Sequence, residues 1–235
     1  MKTIGVFTAL PIEGRCLTSG KIVPDNTVAV NRHLLLRAGG MGRDNAETAA
    51  RALVDANVDL LVSWGVAAAL SESGRAGDLV LANTVIDSDG AHYAIKPEIL
   101  QTLETFARRA GISSISGALV EADRVLDSVD DKIRLHRNTG ALAADMESAT
   151  VAGIAGKAQI PFLAIRVISD DLQVSIPRAV TRNMDANGHL KMAGLLFALC
   201  RHPGNLAGLV RLAQAFKKAR QTLTQCAGYL KPASD

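Results

Sequence analysis

Six short apolar runs recur along the chain, at 3–10, 33–38, 58–64, 79–86, 117–121 and 161–168, each rich in Val, Ile or Leu. Runs of this length and branching read as buried strands. Between them lie alanine-rich stretches with helical apolar spacing, at 44–56, 97–110, 128–137 and 145–158. Strands that alternate with helices imply a largely parallel or mixed sheet covered on both faces. The order therefore predicts an α/β fold, a three-layer α/β/α sandwich. No internal repeat, low-complexity segment or linker interrupts it, so residues 1–235 are expected to form one domain. Aromatics are only 3% of the residues, which leaves the core to Ala, Val, Leu and Ile.

Local signals support the helices. Asp44 stands in capping-box range of Glu47, Lys96-Pro97 starts a helix, and Gly111 stops it. Beyond residue 188 two further helices are expected, 188–200 and 205–224, hinged at His202-Pro203-Gly204. In the second, Leu206, Leu209, Val210, Ala213, Phe216 and Leu223 form an apolar stripe opposite Arg211, Lys217 and Lys218. From residue 178 onward there are nine Lys/Arg against two Asp/Glu, on a chain of net charge +3. Such a basic amphipathic helix can pack on the domain, pair with another subunit or rest on an anionic lipid surface. Packing is the simplest of the three.

Cys16, Cys200 and Cys226 lack CxxC spacing, which argues against a disulfide framework or zinc site and for a reducing cytoplasm. The N-terminal run TIGVFTALP is short and reads as a first strand rather than a secretory leader. The run MAGLLFAL is far below the roughly 20 residues that span a bilayer. A cytoplasmic location is expected, with peripheral contact at the inner membrane surface left open by the tail.

Chemistry concentrates at strand ends. Gly39-Gly40-Met41-Gly42 lies between a strand and a helix, where backbone can approach an anion. Its spacing matches neither a dinucleotide fingerprint nor a Walker A loop, which speaks against a nicotinamide oxidoreductase. In VDLLVSWGVAAAL (58–70) a strand ends at Ser63-Trp64-Gly65 and tiny residues follow, leaving room for a planar ring. In IPFLAIRVISDD (160–171) a strand runs into Ser169-Asp170-Asp171. A partly desolvated acid at that mouth has a raised pKa and is prepared to donate a proton.

The stretch AADMES (143–148) adds two more acids. On a helix over 145–158, Asp145 and Glu147 point in different directions. One then serves the helix N-terminus, while the other faces the strand ends beside Asp170. Glu13, just after the first strand, is a third acid at that rim. Three carboxylates around a small-residue pocket suit cleavage at an anomeric carbon: they favour a cationic sugar, grip ribose hydroxyls and protonate the leaving base. No His/Cys cluster supports a metal, and no Ser-His-Asp arrangement supports acyl transfer.

The order of IGVFTALPIE (4–13), AGGMGRDNAETAARAL (38–53), DLLVSWGVAAAL (59–70), AGDLVLAN (76–83), GALVEADRVL (117–126), GALAADMESATVAGIA (140–155) and PFLAIRVISDD (161–171) resembles the purine nucleoside phosphorylase/nucleosidase superfamily. Its methylthioadenosine/S-adenosylhomocysteine nucleosidase branch is close. The DMES form and the tail LFALCRHPGNLAGLVRLAQAFKKARQTL (196–223) look still more like the hopanoid-associated phosphorylases, which are implied to remove adenine from adenosylhopane. The resemblance implies a partly barrel-like sheet and a homo-oligomer. It makes Asp170 the general acid at purine N7, Glu147 the holder of the ribose 2′- and 3′-hydroxyls with Met146 against the sugar, and Glu13 the activator of water. Gly65 and Val66 would lie in the purine–ribose pocket with Ser169 at its edge, and Val125 and Leu126 against the base. Asp145 is then structural.

The chain departs from that pattern in three places. Val66-Ala67-Ala68-Ala69 replaces a Ser-Ala-Gly-Gly run, and Val125 stands where an aromatic stacks on adenine. The arginine that holds phosphate in phosphorolytic relatives, near Ser63, is missing; Arg43, beside Gly40, is the candidate substitute. The partner expected is a small nucleoside, lipid-linked or not, rather than a nucleic acid. No cofactor is expected, and inorganic phosphate is the one co-substrate left open. A non-catalytic nucleoside-binding module on the same fold is the competing class.

Overall fold

The computed structural model describes residues 2–174 and 205–231. Along the chain run β1 (Ile4–Thr8), α1 (Pro11–Gly14), β2 (Thr27–Asn31), β3 (Leu34–Ala38), α2 (Arg43–Asp55), β4 (Leu60–Ala69), β5 (Leu79–Ile86) and β6 (His92–Ala94). They are followed by α3 (Pro97–Arg109), β7 (Ser114–Glu121), α4 (Val129–Thr139), β8 (Ala143–Asp145), α5 (Ser148–Lys157), β9 (Phe162–Asp170) and α6 (Asn205–Leu230). The strands join in the order β2-β3-β1-β4-β8-β7-β5-β6, with β9 bridging β4 and β5. Strands β4, β8, β7, β5 and β9 thereby close a five-stranded, barrel-like circuit, and β3, β1 and β2 extend it as an open wing. The α/β class and the mixed, partly barrel-like sheet are as the sequence led us to expect.

Strand β9 shows why the circuit closes. All nine of its residues are buried, and it runs parallel to β4 on one side and antiparallel to β5 on the other. Alanines let the helices sit close: Ala46, Ala49 and Ala50 of α2 and Ala149, Ala152 and Ala155 of α5 are all buried. Small side chains on facing helices allow near approach without large residues to fill the gap.

Several local expectations need correction. The strand read as 58–64 continues to Ala69, because β9 pairs with it as far as Ala68 and β8 pairs with Ala68 and Ala69. Strands β2, β6 and β8 were not anticipated. Helix α2 begins at Arg43 behind Gly42, whose φ of 90° a side chain would resist. Asp44 makes no cap, and Glu47 pairs with Arg51 instead. Helix α5 starts at Ser148, not 145, so Asp145 closes a strand and Glu147 is the residue before the helix.

The tail resolves in favour of packing over the part described. Ala219, Leu223, Cys226, Ala227 and Leu230 of α6 are buried, the helix lies on β9 and α3, and Tyr229 meets Phe106 edge-on at 5.6 Å. It runs past residue 224 to Leu230. Val210 and Ala213 do not join that face, and Val210 is 48% exposed. The helix expected at 188–200, the hinge after it and the side chains of Leu206 and Leu209 lie outside the described residues.

Candidate active site

Strand β1 ends at Thr8, and the turn into α1 brings Glu13 back beneath it. Its Oε2 accepts from Thr8 Oγ1 at 2.8 Å and from the Leu10 amide at 2.9 Å, and its Oε1 accepts from the Val66 amide at 3.0 Å. Gly65 makes room for this. A Cβ there would lie 2.6 Å from Glu13 Oε1 and 2.9 Å from Arg166 Nη1, closer than real contacts allow.

Arg166, in mid-β9, is buried beside these acids. Its Nε lies 2.8 Å from Asp145 Oδ2 and its Nη2 3.5 Å from Glu147 Oε2. The same guanidinium donates to Ser63 Oγ at 2.6 Å, Ser148 Oγ at 3.1 Å and the Val66 carbonyl at 3.3 Å. Asp145 Oδ1 also accepts the amides of Glu147 and Ser148, and Ser148 Oγ donates to Oδ2. Asp145 thus fixes the first turn of α5 and anchors Arg166, the structural role expected of it. Gly42 of the glycine loop donates its amide to Glu147 Oε1 at 2.9 Å. That loop positions a carboxylate.

These groups surround one hollow of about 640 Å³, counted out to its mouth. Glu13, Asp145, Glu147, Asp170, Arg124 and Arg166 carry its charge. Val66, Val125, Leu126 and Met146 supply apolar wall, with Ser169 beside Asp170. Eight of the candidates named from sequence therefore meet there: Asp170, Glu13, Glu147, Met146, Val66, Val125, Leu126 and Ser169. Three do not line it. Gly65 lies behind Glu13, and Gly40 spends its amide on the Ala9 carbonyl at 3.0 Å. Arg43 turns away, with Nε 3.2 Å from Glu121 Oε1 and Nη2 2.6 Å from Ser88 Oγ. It does not replace the missing phosphate arginine from that position.

Two buried cations that pair with the acids of the site were not singled out in the sequence. Arg166 is one; its signal was a lone charge inside a run of otherwise apolar β-formers. Lys132 is the other. It is fully buried and its Nζ lies 2.5 Å from Asp170 Oδ2; nothing in the polar run VDDKIRLHRNT marks it.

The charge balance is uneven. Asp145, Glu147 and Glu13 share a single guanidinium. Burial pushes the Glu147 carboxyl up to about 7, against the pull of Arg166 and with the nearby charges of Asp145 and Glu13 adding to the rise. Burial also raises Glu13, opposed by Arg166, the Leu10 and Val66 amides and Thr8. A buried, acid-rich floor of this kind favours positive charge developing above it.

A stability test follows from Glu147. Folded, it keeps its proton up to about pH 7, whereas unfolded it loses it near 4.5. The folded chain binds more protons within that window, so this carboxyl lowers stability as pH rises through it. Glu147→Gln should remove that contribution: the variant's Tm relative to wild type should climb between about pH 5 and about pH 8. A pH-independent difference in thermal melts would deny Glu147 its shift.

A hollow with apolar walls at strand ends, lined by Glu13, Glu147 and Asp170, suits cleavage of the N-glycosidic bond of a nucleoside. The family model described as the Phosphorylase superfamily matches residues 4–198, and the chain belongs to that superfamily. The 5′-methylthioadenosine/S-adenosylhomocysteine nucleosidase of Staphylococcus haemolyticus is 26% identical over 158 residues, 60% of this chain and 69% of that protein. Among solved structures, the Neisseria meningitidis nucleosidase of the same name, in complex with methylthio-immucillin-A, superposes with a TM-score of 0.72 at 18% identity, covering 98% of this chain and 99% of that one. Helicobacter pylori futalosine hydrolase gives 0.71 at 16% identity, covering 97% and 98%. These likenesses at low identity speak for the fold.

Proposed function

We propose that this enzyme releases adenine from a 5′-substituted adenosine, with water as the nucleophile. The observation that carries the reading is the placement of Asp170 and Glu147 on one hollow with Glu13 on its floor. In this reading Asp170 delivers a proton to purine N7, and Glu147 accepts hydrogen bonds from the ribose hydroxyls. Glu13 takes a proton from the attacking water. Met146 covers the sugar, and Val125 and Leu126 cover the base. As the C1′–N9 bond lengthens, the sugar gains positive charge, which the acid-rich floor favours.

The choice of water over phosphate rests on the cations. Among the described residues, two guanidinium groups line the hollow. Arg166 is held by Asp145, and Arg124 is 2.9 Å from Asp131. Neither is left over for a phosphate dianion. The names of the relatives point the same way.

The 5′-substituent is the finer part of the proposal. The resemblance of the tail favours a lipid-like group, with adenosylhopane the named candidate. Exposed Arg211 and Lys217 beside Val210 on α6 suit contact with an anionic lipid surface. A homo-oligomer and a cytoplasmic or membrane-surface location belong to the same reading.

The test is release of adenine from 5′-methylthioadenosine, S-adenosylhomocysteine and adenosylhopane, in phosphate-free and phosphate-containing buffer. We expect release without phosphate and a free sugar product. Strict dependence on phosphate would overturn the choice of water. Tight nucleoside binding without release from any of the three would overturn the enzyme reading in favour of a binding module.

A further inference from the structure

Helix α4 buries one residue fully, and that residue is Lys132 rather than its apolar neighbours Ile133 and Leu135. Ser128 caps the helix through the Asp131 amide, and α4 follows directly from Val125 and Leu126 of the hollow. A buried ammonium carries a heavy desolvation cost unless every N–H finds a partner. Here each does: Nζ donates to Asp170 Oδ2 at 2.5 Å, to the Asp171 carbonyl at 2.9 Å and to the Val174 carbonyl at 2.9 Å. The other oxygen of Asp170 accepts Ser169 Oγ at 2.8 Å. The carboxylate is thereby held at both ends, with a cation on one oxygen and a hydroxyl on the other.

We propose that Lys132 is the positioning residue for leaving-group departure: it orients Asp170 and supplies the proton that Asp170 passes to the base. The inference rests on the proposed reading of the hollow. The balance is one proton and one bond. As C1′–N9 breaks, its electron pair leaves with the purine. Lys132 Nζ passes one proton to the Asp170 carboxylate it is paired with, and Asp170 in turn gives one to N7. The neutral amine left on Lys132 regains a proton from water after the base departs. Orientation alone would not need a buried charge, since the strand end and Ser169 already fix Asp170. A cation in hydrogen-bond contact with the acid is what proton supply requires.

The alternative is that Lys132 only fastens residues 170–174 to α4. The experiment compares wild type with Lys132→Met on two substrates sharing one sugar and 5′-group: an adenine nucleoside, and a 4-nitrophenyl riboside whose leaving group departs without protonation. We expect kcat for adenine release to fall about 100-fold or more while KM changes little, and turnover of the nitrophenyl riboside to stay within about threefold. Retained nitrophenyl turnover also shows that the variant folds. In the background of Asp170→Asn, Lys132→Met should add little further loss, because the two act as one unit.

Equal loss on both substrates, or a further drop of the same size in the Asp170→Asn background, would overturn the proposal and leave Lys132 a fastening. Unchanged adenine release would overturn it as well. A wild type that releases no adenine but cleaves another nucleoside would instead unseat the adenine reading, and the same comparison is then made on that nucleoside.

Discussion

Asp170→Asn should lower turnover on an adenine nucleoside by about 10²–10⁴-fold, the share a positioned general acid contributes. The substitution keeps shape and removes the carboxyl group that hands on the proton. The oxygen of the new side-chain amide can still accept from Lys132, and the rest of β9 is buried by packing that the change leaves alone. Stability should drop, because Lys132 is fully buried and loses its counter-charge; a loss of about 3 kcal/mol is typical when one partner of a buried pair is removed. For a chain of this size that lowers Tm by roughly 6–12 °C, so activity is to be read well below the transition. A variant that melts lower but turns over at the wild-type rate would remove the acid from Asp170.

Arg166→Met should be the most destabilising single change. The guanidinium is the shared partner of Asp145 and Glu147 and lowers the pKa of Glu13. Without it three carboxylates are left buried together, and Ser63 and Ser148 lose its N–H groups. Removing one side of a buried ion pair costs about 3–5 kcal/mol, which is roughly 6–20 °C in Tm. The sign of its pH dependence follows from the same picture. Glu13 and Glu147 are already raised, and protonating them relieves the repulsion. Glu147 ionises near pH 7 in wild type and only at higher pH without the pull of Arg166, so the deficit against wild type should widen as pH rises through about 7 and be smaller below it. Calorimetry across that range decides it. A deficit of under about 1 kcal/mol at neutral pH would mean that Arg166 is not the charge holding this floor together.

The large features were legible because burial writes itself into composition. Continuous Val/Ile/Leu runs could only be inner strands, and β9 matches its run closely. Asp170 and Glu13 were readable because an acid directly after such a run has few other places to go. The short pieces were not. Ala143–Asp145 pairs with β7 and β4, yet Ala-Ala-Asp carries no β preference, and three residues lack a period. Tertiary pairing makes that strand, so Asp145 was placed on a helix that begins three residues later. Arg166 and Lys132 failed for a related reason. Their roles depend on which acids the fold brings to them across 21 and 38 residues of chain, and spacing within one element contains none of that. Arg43 shows the reverse error: it stands beside the glycine loop in sequence, but the helix that starts there swings its side chain toward Glu121.

All of these arguments converge on a nucleoside lying between the carboxylate that ends β9 and the one that precedes α5. The direct measurement is a crystal structure of the slowed Asp170→Asn variant soaked with 5′-methylthioadenosine. Purine N7 should lie about 3 Å from the substituted side chain, with both ribose hydroxyls on Glu147. A ligand seated elsewhere, or one whose sugar points away from Glu147, would contradict the assignment of this hollow.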